Sequence, residues 1–210
     1  MAKPKSIGFR LRGVAGIVAL LPMVGVIIFS QRWAPIDKGT WGGLGLDVAG
    51  WFLFVAGCFL RISAIVFVGG RKGKGVVTNG PYSMCRNPLY LGSLLIALSG
   101  ALMLHCLSAV GGILVASVFY LAIVIPSEER QLHEAFKEEW EAFVSSTPRI
   151  IPRFRWTAGE QWQEVDLRAL RNESLRVIGM GMLPLFVTVT WYLRSPLCQS
   201  WWPGLKFILP

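Results

Sequence analysis

Apolar residues fall in long blocks separated by polar stretches that hold nearly all the charge, a pattern that predicts helices crossing a bilayer. The blocks run from Val14 to Ser30, Leu44 to Gly69, Pro88 to about Cys106, about Ala109 to Ile125, and Val177 to Leu193. Each is close to the roughly 20 residues that span about 30 Å of hydrocarbon. The first follows Lys3, Lys5, Arg10 and Arg12, as a signal peptide would, but Gln31-Arg32-Trp33 supplies no small-residue cleavage site, so a retained helix is expected. Pro22 should kink it. Trp201-Trp202-Pro203 in the tail reads as interfacial. The expected fold is all-α: a polytopic bundle of about five transmembrane helices with a cytoplasmic amphipathic helix.

That amphipathic helix begins at Pro126-Ser127-Glu128-Glu129 and continues through Leu132, Phe136, Trp140 and Phe143. The spacing puts the four apolar residues on one stripe. A stiff basic return, Pro148-Arg149-Ile150-Ile151-Pro152-Arg153, follows and is placed over the cytoplasmic cavity. The division is 1–69 for two N-terminal helices, 70–155 for a core, and 156–210 for an extension with a fifth span. No repeat, low-complexity tract or separate soluble domain is visible.

Composition agrees with the pattern. Hydrophobic residues make up 53% of 210 residues and charged residues only 16%, against about 25% charged in soluble domains. A soluble enzyme, a disordered chain and a disulfide-stapled secreted fold are thereby excluded. The net charge of +9 lies between the apolar runs, which points to membrane orientation and away from nucleic acid. With the N-terminus cytoplasmic and all five runs crossing, sixteen Lys and Arg fall on the cytoplasmic side. Only Arg32, Lys38, Arg194 and Lys206 fall opposite, with Arg61 inside the second helix. This is the positive-inside distribution, and it places the chain in the cell inner membrane. Four cysteines (Cys58, Cys85, Cys106, Cys198) without a C-x-x-C pair, and two histidines, leave no ordinary metal site; each Cys reads as a small buried hydrophobe.

The densest local signal is Gly80-Pro81-Tyr82-Ser83-Met84-Cys85-Arg86-Asn87-Pro88-Leu89-Tyr90-Leu91-Gly92. Asn87 is a good N-cap and Pro88 suits the first helical position. The helix therefore starts at the membrane face with its positive dipole end toward the cytoplasm, an anion site beside Arg86. Gly92, one turn in, permits close approach of another backbone or a ligand. The plainer alternative is a capped helix start with an Arg gripping lipid phosphate. Glu128 and Glu129 likewise have two readings: acids favouring a helix dipole, or carboxylates facing the same cavity as Arg86. Arg61 either snorkels or faces the bundle as a functional group. His105 and His133, each alone, read as structural.

With both signals placed, the chain resembles the integral-membrane methyltransferases related to isoprenylcysteine carboxyl methyltransferase, which group with the phospholipid N-methyltransferases. The matching stretch is Lys74-Gly75-Val76-Val77-Thr78-Asn79-Gly80-Pro81-Tyr82, Arg86-Asn87-Pro88-x-Tyr90-x-Gly92, and Glu128-Glu129-x-x-Leu132-x-x-x-Phe136-x-x-Glu139-Trp140, ending near Pro148 and Pro152. The resemblance implies an S-adenosylmethionine-dependent methyltransferase acting on a lipophilic or lipid-modified acceptor at the cytoplasmic membrane face. By motif position the cofactor residues are Lys74, Gly75, Val76, Val77, Tyr82, Arg86, Asn87, Pro88, Leu89 and Glu128. Arg61, Tyr90 and Glu129 are assigned to the acceptor, with no metal and with membrane lipids as partners. Asn87 stands where the prenylcysteine enzymes usually have His, and Val124 where they place a substrate-contacting Arg. Methyl transfer is thus implied without the prenylcysteine acceptor. The alternatives are an NADPH-dependent membrane reductase of the sterol reductase type, or a non-enzymatic membrane scaffold.

Overall fold

The computed structural model describes residues 40–69, 71, 75–105, 107–158 and 164–193. The expected first helix, the tail and Lys74 lie outside the described residues. Among those described the chain is helical, without strands. In chain order the helices are α1 (Trp41–Val68), α2 (Pro81–Met84), α3 (Pro88–Met103), α4 (Leu107–Phe119), α5 (Ile125–Ala135), α6 (Lys137–Ser146) and α7 (Leu167–Leu193).

Among the described residues two helical stretches are long and apolar enough to cross a membrane: α1, with 28 residues, and the 26 residues Val110–Ala135. α3 is apolar but shorter, at 16 residues, and the fifth apolar run lies within α7, which starts ten residues earlier than the run itself. Pro126 does not end the fourth run as expected. α4 passes into α5 through a π-helical turn, Tyr120–Val124, and the proline occupies the first turn of α5, in a helix that stays continuous.

α1 is packed inside-out relative to a soluble helix. Its large residues Phe52, Val55 and Phe59 are exposed, while Gly43, Gly50, Gly57 and Ala64 are buried. The buried set recurs every seven residues, so it forms one seam along the helix. Small residues on such a seam let backbones meet, as in bilayers, where burying Leu against lipid or protein is nearly equivalent. A Cβ on Gly57 would lie 2.7 Å from the carbonyl oxygen of Gly92, and one on Gly92 would lie 2.7 Å from Arg61 Cγ. The close approach expected at Gly92 is therefore made by α1. The Gly50–Met103 and Gly57–Gly92 contacts run in opposite order along the two helices, so α1 and α3 are antiparallel. At the far end His105 closes the pair against Asp47, at 3.1 Å, a structural role.

The single amphipathic helix expected after Pro126 is instead two helices, broken at Phe136 (φ −140°, ψ 54°). Trp140 and Phe143 are buried on α6, but Leu132 on α5 is exposed, so the four residues do not make one buried stripe.

Candidate functional site

The segment before α3 owes its course to one glycine. Gly80 has φ 60° and ψ −132°, a region costly for residues with a Cβ. A Cβ there would also meet the Phe67 ring at 2.5 Å. Pro81 then opens α2 at a position that needs no N–H. The return after α6 runs alongside. Arg86 N donates to the Pro148 carbonyl at 2.8 Å, Arg153 N to that of Met84 at 3.1 Å, and Gly80 N to that of Thr157 at 2.8 Å. The Ser83 hydroxyl donates to the Gly80 carbonyl at 2.7 Å and accepts from Thr157 N at 3.0 Å. The return thus lies over the start of α3, as expected for the Pro148–Pro152 stretch.

These segments bring Arg86, Asn87 and Arg149 onto one carboxylate, Glu129, which is buried. The Arg149 guanidinium donates through Nε at 3.1 Å to Oε2 and through a terminal nitrogen to the same oxygen. Arg86 Nη1 lies 3.4 Å from Oε1. Asn87 does not cap α3, contrary to expectation. Its amide nitrogen donates to Glu129 Oε1 and to the Arg149 carbonyl, each at 3.2 Å, which commits the side chain to that carboxylate. Two guanidiniums thus face one carboxylate. Arg86 Nε is buried with no hydrogen-bond partner.

Next to this cluster Tyr90 donates its hydroxyl to Glu128 Oε1 at 2.9 Å. The Tyr90 ring stands 5.7 Å from that of Tyr120, in the π-helical turn. Cys85, in the middle of the motif, is fully buried. Burial pushes its thiol up to about 11, against a smaller lowering from the Asn87 backbone N–H. It is a neutral packing group at neutral pH.

Of the residues expected to hold the cofactor, Arg86, Asn87, Pro88, Leu89 and Glu128 gather here, together with Tyr90 and Glu129 from the acceptor set. The Gly75–Val77 strip is tied to α6, with Val76 N donating to Glu139 Oε2 at 3.0 Å. Tyr82 is on α2, half-buried.

Arg61 does not snorkel. It is buried, donates through Nε to Glu173 Oε1 at 2.6 Å, and donates through Nη1 to the Leu89 carbonyl at 3.3 Å and to the Ser93 hydroxyl. A terminal nitrogen closes the ion pair with Glu173, which also accepts from Arg176 at 3.2 Å. Arg149, Glu173 and Ser93 went unread as site residues in the sequence. Glu173 carried a usable signal: an acid one turn before an apolar run, matched to a lone Arg inside another. On its other side Glu129 borders an open groove of about 510 Å³ between α5 and α6, with His133, Trp140 and Val144. Of the expected ligand residues only Glu129 lines that groove.

Comparison with known proteins bears on this arrangement. Residues 46–139 match the phospholipid methyltransferase family. The match runs from α1 through the Arg86–Gly92 motif to the Glu128 motif, ending beside Trp140, and bears out the family resemblance over that stretch. The chain is also similar to the cobalt-zinc-cadmium resistance protein CzcN of Cupriavidus metallidurans, 29% identical over 177 residues covering 81% of this chain and 78% of CzcN. The nickel-cobalt-cadmium resistance protein NccN of Alcaligenes xylosoxydans xylosoxydans is 26% identical over 171 residues, with the same coverage. No solved structure matches the chain significantly.

Proposed function

We propose that this chain is an S-adenosylmethionine-dependent methyltransferase of the inner membrane, with its N-terminus cytoplasmic and about five spans, acting on a lipophilic acceptor at the cytoplasmic face. The observation that carries the reading is the unpartnered, buried Nε of Arg86, one of two guanidiniums on the Glu129 carboxylate. A buried donor without an acceptor is costly, and the cofactor's carboxylate is a ligand of the right charge. Glu128, held by Tyr90, is suited to the cofactor's ammonium or ribose hydroxyls. The residues present therefore fit the group.

The bound cofactor supplies an electrophilic methyl on a sulfonium, which already has a good leaving group. The chain's own work is then orientation and exclusion of water. Arg86 and Glu128 fix the two polar ends, Asn87 and Arg149 hold Glu129 in place, and the 148–157 return covers the aqueous side. No side chain here is needed as a strong base, which suits an acceptor already nucleophilic at neutral pH: a carboxylate, an amine or a thiolate. Val124 is buried and apolar, which argues against a farnesylcysteine carboxylate as the head group. The names of CzcN and NccN favour a setting in metal resistance, with methyl transfer altering a membrane component.

Calorimetric titration of the purified protein with S-adenosylmethionine, S-adenosylhomocysteine and NADPH tests the cofactor. The first two should bind and NADPH should not; binding of NADPH alone would establish the reductase alternative. Labelled-methyl transfer to total membrane lipid, a farnesylcysteine analogue and a soluble metabolite pool tests the acceptor. Label is expected in the lipid extract, and label confined to the soluble pool would defeat lipid entry.

A further inference from the structure

The return that covers the site exposes its largest apolar side chains. Phe154 is fully exposed, Ile151 is 81% exposed and Trp156 is 53% exposed. The exposure is not that of a loose loop, because the backbone is pinned on both sides of these residues. Pro148 is held by Arg86, Arg153 by Met84, and Thr157 by Gly80 and by the Ser83 hydroxyl, which accepts from Thr157 N at 3.0 Å. Three large hydrophobes fixed outward on a built segment mark a contact surface.

Two observations say what the surface contacts. The first is depth. The Trp156 ring meets Phe67 edge-on, with centroids 6.0 Å apart, and Phe67 is the next-to-last residue of α1. Where α1 crosses the bilayer, Trp156 stands level with the end of the crossing, at the height where Trp and Tyr belts collect. The second is charge. Arg153 and Arg155 alternate with the apolar residues, both exposed, and neither forms an ion pair among the described residues. An apolar row with interleaved arginines matches a leaflet of anionic lipid, whose acyl boundary takes the rings and whose phosphates take the guanidiniums.

We propose that residues 151–156 form an interfacial anchor: Ile151, Phe154 and Trp156 seat in the leaflet around the inner end of α1, and Arg153 and Arg155 bind the phosphates of anionic phospholipid. This rests on α1 crossing the membrane and is independent of methyl transfer. The full chain with Phe154→p-cyanophenylalanine, one copy per nanodisc, reports it through the nitrile stretch, which separates a wet from a dry environment. In discs containing phosphatidylglycerol the band should lie at the dry position. It should move to the wet position in phosphatidylcholine alone, and also when Arg153→Gln and Arg155→Gln are combined in phosphatidylglycerol. All three side chains are exposed, so these changes leave the fold intact. A wet nitrile in both lipids overturns the proposal. So does a dry one indifferent to lipid charge and to both arginines, or one that becomes dry only in discs holding two copies, which would assign the surface to a second copy of the chain.

Discussion

Among the described residues two buried carboxylates near the start of α3, Glu173 and Glu129, each gather two guanidiniums, and they differ in how the donors are used. Around Glu173, among α1, α3 and α7, Arg61 spends its donors on Glu173, the Leu89 carbonyl and the Ser93 hydroxyl, and the more exposed Arg176 adds a second guanidinium to the same carboxylate. Around Glu129, two arginines and an asparagine crowd one carboxylate, and a buried guanidinium nitrogen is left over. The first cluster leaves none of Arg61's side-chain nitrogens idle and ties α1, α3 and α7 together. The second keeps one buried donor idle, the donor that the proposed function gives to an anionic ligand. Charge buried in a protein is thus no sign of a ligand site by itself; an unmatched donor is.

The sharpest way to break that contrast is at Glu173. Glu173→Gln leaves Arg61 buried without a counter-ion, and breaking a buried pair in this way costs roughly 3–5 kcal/mol. The unfolding midpoint in detergent should drop accordingly. The apolar double change Arg61→Met with Glu173→Leu should recover most of the loss, since a well-packed pair can replace a buried ion pair. Recovery failing in the double variant would show that Arg61 does more than balance Glu173.

At the other cluster, Arg86→Ala should behave the opposite way. Removing a charged partner from a partly dry ligand site costs roughly 2–5 kcal/mol of affinity, so S-adenosylmethionine binding should weaken while the unfolding midpoint barely moves. Glu128→Gln should weaken binding in the same sense. Wild-type affinity in both folded variants would make the Glu129 cluster as structural as the Glu173 one. A smaller effect belongs to Tyr90→Phe, which removes one hydrogen bond to a carboxylate, worth about 1.5 kcal/mol or about tenfold in affinity. It should be visible in the same titration and as a small loss of thermal stability, since the bond is formed without ligand.

The smallest effect is a pH dependence confined to alkali. The Cys85 thiol has an ordinary value of 9.0 and is raised in the folded chain to about 11. The unfolded chain therefore loses this proton first, and the fold is favoured fully below pH 9. That contribution declines as pH rises from 9 toward 11. Cys85→Ser should flatten the stability profile in that window and leave it unchanged at neutral pH.

Much of the site was legible because its residues are close in sequence. Arg86, Asn87 and Tyr90 lie within one turn of a helix start, and the Glu128-Glu129 pair sits where an apolar run ends. What was not legible depended on long-range pairing. Asn87 has the residue type of an N-cap, but local chemistry could not foresee that its side chain would be engaged by a carboxylate 42 positions away. Arg61 could not be told from a snorkelling Arg without its partner 112 positions on. The amphipathic stripe failed for a local reason, since Phe136 leaves helical geometry and resets the phase between α5 and α6.

The π-helical turn at Tyr120–Val124 acts as a phase shifter. One residue more than an α-helix needs is folded into the ladder there, and every side chain downstream is rotated by about 100° relative to an uninterrupted helix. Glu128 and Glu129 therefore owe their direction to a single residue of surplus a turn or two upstream. A chain of the same length with an uninterrupted helix at 120–124 would point the same two carboxylates a quarter-turn away from Tyr90 and Arg149, whereas one shortened by a position there would close the turn and keep their direction. Spacing between the two motifs is for this reason an angular quantity as well as a length.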